Sequence, residues 1–266
     1  MEPADVLATN WAALRRTTAR LAAKLRFVPS LECRIPRSRW TAREAVAHLV
    51  GAFDLSGELA AGMPSPVQAA DSVVLADWND KRMADIGEQD PAELAALLED
   101  AAERFGRAIS GHTGDQEIIW HAGFRIDLNA LVAILLGEVL LHGYDTAVAL
   151  GEPWTISAGD ARLALTGYTA ALSLFLADRP AARHAAFGIE IDGTSALTVR
   201  VDDGLCSVGP WTGEPVDAIL SADPVAFLLV LTRRLDHFAV IALGSMRLGG
   251  PHPEAAIGLF DLFRFP

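Results

Sequence analysis

The residues best placed to do chemistry are Glu138 and His142, four apart inside the apolar stretch Leu128 to Leu150. Four residues make about one helical turn, so a carboxylate and an imidazole project from the same face. Leu131, Ile134 and Leu135 share that stripe, and Asp145 follows one turn later. An ionised carboxylate in apolar surroundings is costly unless it is paired. Two explanations compete. A Glu/His pair at this spacing is commonly a surface ion pair or hydrogen bond. A divalent metal ion would also resolve the charge, and it would need a further ligand. Asp145 is either an orienting partner behind a ligand or a polar residue near the helix end.

His48 can supply the further ligand. Its helix opens at Trp40-Thr41-Ala42-Arg43-Glu44, where Thr41 suits the N-cap and Glu44 completes a capping box. The helix is predicted to run to about Ala61. Val46, Leu49, Val50 and Phe53 form one apolar stripe. Ala45, Ala52, Leu55 and Leu59 form another, so more than one face is buried. Ala45 and Ala52 flank His48 and leave room for a neighbouring helix. A bundle can set His48 opposite Glu138 and His142. Alone, His48 reads more readily as a core histidine with a hydrogen-bond partner than as a ligand. Two histidines and one carboxylate leave a coordination position open, as catalytic zinc sites do. Ferrous iron or another divalent ion suits the same donors. Gly137 and Gly143 beside the pair serve either close helix packing or access to the site.

The elements that must carry these residues are legible along the chain. Residues 4–25 space Leu7, Trp11, Leu14, Thr18, Leu21 and Leu25 as an amphipathic helix. Residues 62–90 read as irregular, with Pro64, Pro66 and Gly87. Asp90-Pro91-Ala92-Glu93 caps a helix that runs to about Ile109, and Asp127 caps the helix from Leu128 to Leu150. A further helix is expected from Ala158 to Ala177. The pattern then changes. Phe187–Ile191, Ala196–Val201 and Leu205–Val208 alternate as strands. A helix over 223–235, a strand over Phe238–Leu248 and a helix over Pro253–Phe263 complete the reading. The fold class is therefore α followed by α+β: a helical bundle over residues 1–180 and a smaller α+β domain over 185–266.

Composition limits the function. Lys plus Arg number 22 against 34 Asp plus Glu, a net charge of -12. An acidic chain without a basic run does not suit nucleic acid or an anionic membrane. Cys33 and Cys206 are far apart, which excludes a CxxC zinc site and favours a reducing, cytoplasmic setting. Leu128–Leu150 is long enough to span a membrane, but Asn129, Glu138, His142 and Asp145 point to a buried helix instead.

These motifs resemble a known group. Trp40-Thr-Ala-Arg-Glu-Ala-Val-Ala-His48-Leu is similar to the opening of the mycothiol-dependent maleylpyruvate isomerase family, within the DinB-like four-helix superfamily. Glu138-Val-Leu-Leu-His142-Gly-Tyr-Asp145 resembles that family's ligand helix, and Asp77-Trp-Asn79-Asp-Lys-Arg82 its Asn-containing loop. The part from Phe187 onward resembles the sterol-carrier-like domain that follows. The resemblance implies a divalent metal, usually zinc, at His48, Glu138 and His142, with mycothiol as thiol cosubstrate. It implies that Asn79 and Arg82 contact the thiol. It also implies an arginine for an acidic substrate, for which Arg233 is preferred over Arg234. The expected activity is S-transfer or thiol-assisted cis–trans isomerisation of a small electrophile, by a monomer or weak homodimer. The competing reading is a non-catalytic protein that binds a small molecule or lipid, with a structural metal or none.

Overall fold

The computed structural model describes residues 3–68, 72–177 and 184–264. It divides into two compact units, Met1–Ile156 and Ser157–Pro266.

The first unit is helical. α1 (Pro3–Leu25) and α2 (Ala42–Ala60) are followed by α3 (Ser72–Asp85) and α4 (Pro91–Ala108). A small antiparallel hairpin, β1 (Glu117–Ile119) and β2 (Arg125–Asp127), leads into α5 (Leu128–Leu150). The caps form as the side chains dictate. Thr41 Oγ1 accepts from Glu44 N at 3.2 Å, and the Glu44 carboxylate accepts from Thr41 N at 2.7 Å. Asp127 accepts from Ala130 N at 2.7 Å, and α5 ends at Gly151 in the left-handed region.

Helices α1, α2, α4 and α5 pack on one another around Leu14, Leu21, Leu49, Phe53, Leu98 and Phe105, all of them buried. Burying one such side chain contributes about 1.5–3 kcal/mol, so a change such as Phe53→Ala would cost about 3–5 kcal/mol. α5 is long and apolar enough to cross a membrane, yet 83% of its apolar window is buried in the fold. It is the central helix, and its few polar side chains must therefore find partners inside.

Two features of this unit depart from the sequence reading. The segment 62–90, read as irregular, contains the fourteen-residue helix α3. The run Asp77-Trp-Asn-Asp-Lys-Arg82 is polar enough to look like a loop, but Leu75, Asn79 and Met83 turn one buried edge toward the protein. The hairpin between α4 and α5 has strands too short for alternation to show.

The second unit begins with α6 (Ala158–Ala170), which packs against α7 (Pro224–Leu231) of the same unit. The division therefore falls after Ile156, some two dozen residues before the position expected from the helix-to-strand change. Helical periodicity identifies α6 but cannot tell which unit its buried face joins. Five strands follow: β3 (His184–Ile191), β4 (Leu197–Asp202), β5 (Leu205–Pro210), β6 (Ala218–Ala222) and β7 (Met246–Gly249). Their order is β5-β4-β3-β6-β7, antiparallel throughout except for the central parallel pair β3 and β6. This is the expected α+β arrangement with one strand more than the sequence suggested. The run read as a strand from Phe238 is the short helix α8 (His237–Ala242), followed by β7. Asp236 caps α8 by accepting from Ala239 N at 3.0 Å, and Gly244 at φ 76° turns the chain into the strand. The expected closing helix is split into α9 (Ala255–Gly258) and a 3₁₀ turn, Leu259–Asp261.

Candidate functional site

The capping box fixes where α2 begins and so where His48 sits, two turns into the helix. α2 packs against α5, and this contact brings His48 to Glu138 and His142. His48 Nε2 lies 3.2 Å from Glu138 Oε2, and His142 Nε2 lies 3.4 Å from the same oxygen. One donor atom from each of the three residues falls within 4.8 Å of the others. Two imidazole nitrogens converging on one carboxylate oxygen form the donor set that a divalent ion takes.

Burial shapes the electrostatics. His142 and Asp145 are both 8% exposed, whereas 24% of the Glu138 side chain remains accessible. Burial alone would push the Glu138 carboxyl up. Hydrogen bonding and charge from His142 and His48 outweigh it and hold the carboxyl well below its ordinary range. For His142, burial opposes protonation, but Asp145 and Glu138 on either side raise its pKa. Asp145 Oδ2 lies 3.2 Å from His142 Nδ1, on the side of the ring away from Glu138, and favours the protonated ring by hydrogen bonding and charge.

Trp40, which the sequence showed only as the start of a motif, is part of the site. Its ring centroid lies 5.1 Å from that of His48 and 5.6 Å from that of His142, and the two imidazoles are 5.0 Å apart. The indole covers both rings. Its Nε1–H is buried, with no hydrogen-bond partner among the described residues.

Gly143 has a packing role. A Cβ there would collide with the ring of Trp154, whose Nε1 donates to Leu140 O at 3.0 Å. Of the two uses the sequence allowed for this glycine, close packing is the one with a visible partner.

The remaining sequence candidates lie elsewhere. Asn79 and Arg82 are on α3 and not on a loop; Asn79 is buried. The Arg82 stem crosses α2 so closely that a Cβ on Gly51 would lie 2.7 Å from its Cγ, and its guanidinium reaches Glu58 at 3.7 Å. Gly51 is three residues from His48, so Arg82 runs along the ligand-bearing helix. Arg233 belongs to the second unit, with its backbone at φ 60°. Its Nη2 donates to Phe260 O at 3.0 Å and lies 3.4 Å from Asp261 Oδ1, contacts that tie down the C-terminal segment. Arg234 donates to Thr232 O at 3.0 Å.

His121 falls in a segment that reads as a loop in the sequence. It lies at the tip of the β1–β2 hairpin, 9% exposed, stacked on Trp120 at 4.6 Å, with Nδ1 3.1 Å from Ser65 Oγ. Only the hairpin brings it inward, so no local pattern could have marked it.

The family profile described as the mycothiol maleylpyruvate isomerase N-terminal domain matches residues 11–147, the span that carries all three candidate ligands. Among solved structures, the chain is similar to a crystal structure of the mycothiol-dependent maleylpyruvate isomerase, at 14% identity and TM-score 0.56. That likeness covers 87% of this chain and 90% of the other. A mutant form of that enzyme matches at 15% identity and TM-score 0.54, covering 86% and 90%. At these identities the likeness is one of fold. No curated protein matches the chain significantly by sequence.

Proposed function

Because the chain belongs to the mycothiol maleylpyruvate isomerase family through its N-terminal domain, we propose that it is a thiol-dependent enzyme. In this reading it holds a divalent metal ion at His48, Glu138 and His142. It isomerises a small maleylpyruvate-like electrophile by reversible thiol addition, or conjugates one by S-transfer. The observation that carries the proposal is the convergence of His48 Nε2 and His142 Nε2 on Glu138 Oε2.

A divalent ion bound there would lower the pKa of a coordinated thiol and so supply a nucleophile at neutral pH. The chain's own residues prepare for that. Glu138 is held ionised and needs no proton removed before it binds a cation. Asp145 stands 3.2 Å from His142 Nδ1, so the ring turns its Nε2 to Glu138. Trp40 shields both imidazoles from water, which strengthens every charge interaction within. We assign the thiol cosubstrate to Asn79 and Arg82, a reading supported by the course of Arg82 along α2 beside Gly51. We assign the substrate carboxylate to Arg233, whose side chain is 60% exposed and so still open to an anion.

Elemental analysis of the purified protein beside His142→Ala tests the ligand set. The wild type should carry about one divalent ion per chain and the variant almost none. Equal metal content in the two would sink the assignment. Turnover of maleylpyruvate with and without mycothiol tests the activity, and turnover that survives complete metal removal would refute the metal's role. Arg233→Ala should raise KM for an acidic substrate and leave metal content unchanged.

A further inference from the structure

We propose that the cavity between the C-terminal ends of α1 and α5 is a second small-molecule site, suited to a neutral, phenol-sized ring whose hydroxyl pairs with Thr146. This site shares no residue with the metal cluster and stands whether or not a metal binds there.

The cavity follows from how the two helices meet. α1 and α5 run side by side in one direction. Asn10 in the first half of α1 donates to Asn129 O at the start of α5 at 3.3 Å. Further along, Leu21 and Leu25 share a cavity wall with Ala147 and Leu150. Gly143 and Ala147, one turn apart on that stretch of α5, carry almost no side chain, so the helices leave a gap. Its volume is about 220 Å³. A cavity of ~150 Å³ lined by Leu, Ile and Phe already holds benzene.

The lining selects the ligand. Leu21, Leu25, Ala147 and Leu150 are apolar. Phe27, also on the lining, is 88% exposed and offers its ring to a flat partner. The charged residues of the lining are Lys24 and Glu152, which lie 3.7 Å apart and offset each other. A charged ligand would lose its hydration without a net opposite charge to meet it, so a neutral one is favoured.

Thr146 supplies the polar contact. It lines the same cavity, is 1% exposed, and its buried Oγ1 has no hydrogen-bond partner among the described residues. Buried threonines on α1 satisfy themselves locally: Thr17 and Thr18 each donate to the carbonyl four residues back, at 2.9 Å. Thr146 does not. A buried hydroxyl left unbonded is costly. The hydroxyl of a bound ring would complete it, as donor or as acceptor.

Titration of the full chain with p-cresol and with toluene, followed by methyl NMR and calorimetry, tests the site. The methyl signals of Leu21, Leu25 and Leu150 should move with p-cresol, while those of Leu228, buried in the second unit, stay in place. p-Cresol should bind about 5-fold more tightly than toluene, the gain from one hydrogen bond. In Thr146→Val the order should reverse, since the cresol hydroxyl would then be buried unpaired. That variant should keep the wild-type Tm, because the hydroxyl it removes bonds nothing in the described chain. Ala147→Phe, which fills the cavity, should bind neither ring. Silent leucine methyls, or a wild type that prefers toluene, would overturn the proposal. So would p-cresol affinity unchanged in Thr146→Val, or undiminished binding by folded Ala147→Phe.

Discussion

His48, Glu138 and His142 in the helical unit, and His184, Asp202 and Asp203 in the sheet unit, each bring three donor atoms within 4.8 Å of one another. By distance alone the two clusters are equivalent. They differ in what surrounds them. The first stands on two packed helices, with an indole over both imidazoles and a buried aspartate behind one of them. The second stands at a strand end and a turn, with its side chains 69–77% exposed. Exposed pairs lose most of their attraction to solvent and to side-chain entropy. Donors on rigid elements are ordered before any ion arrives. Proximity of donors is therefore common, and a prepared site is the rarer thing.

The largest expected effect contrasts His48→Ala with His184→Ala. The first should weaken zinc binding, measured by competition with a chromophoric chelator, by more than about 100-fold, the upper range for losing even a supporting residue. The second should leave it unchanged and shift stability by no more than about 0.5 kcal/mol. Comparable losses in both would erase the distinction between the clusters.

Next comes Glu138→Gln in chelator-treated protein, followed by thermal unfolding across pH. Glu138 has a lowered folded pKa, so its contribution is present above its ordinary value of 4.5 and fades as pH falls through the folded value. His142 has a raised folded pKa, so its contribution is present below its ordinary value of 6.5 and fades as pH rises through the folded value. The stability gap between wild type and variant should be greatest between about pH 4.5 and 6.5. It should reach about 1–3 kcal/mol, short of the ~3–5 kcal/mol of a fully enclosed pair because Glu138 keeps an open edge. A gap that is flat across pH would contradict the charge account.

Asp145→Asn should weaken metal binding by about 10-fold, the lower end for a partner behind a ligand. No change would make Asp145 a mere helix-end residue. The smallest effect belongs to Gly143→Ala. Crowding against Trp154 should cost about 1–3 kcal/mol, offset by about 1 kcal/mol of improved helix propensity. A net stabilisation would refute the packing role.

Much of this was legible in the residues. The caps at Thr41, Asp90 and Asp127 placed three helices nearly to the residue, because capping is local chemistry. The Glu138/His142 spacing and the apolar neighbours of both helices pointed to one shared cluster, because helix geometry converts spacing into direction. What escaped was set by contacts distant in sequence. α3 hid behind its polar composition, α8 behind a short apolar run that suits either element, and α6 behind a periodicity that does not name its partner. His121 depends on a hairpin whose strands are three residues each. Trp40 was visible as a motif residue, but its cover over two imidazoles exists only once α2 meets α5.

The seating of Trp154 against Gly143 has a mechanical side. The indole is hydrogen-bonded to Leu140 O, and the Arg20 guanidinium lies 3.8 Å above its ring. Arg20 also donates to Thr155 O at 2.9 Å. The strand of backbone leaving the first unit is thus moored to α5 at Leu140 and Gly143, the positions that bracket His142. Tension on that mooring line would be delivered to the helical turn that aims a ligand.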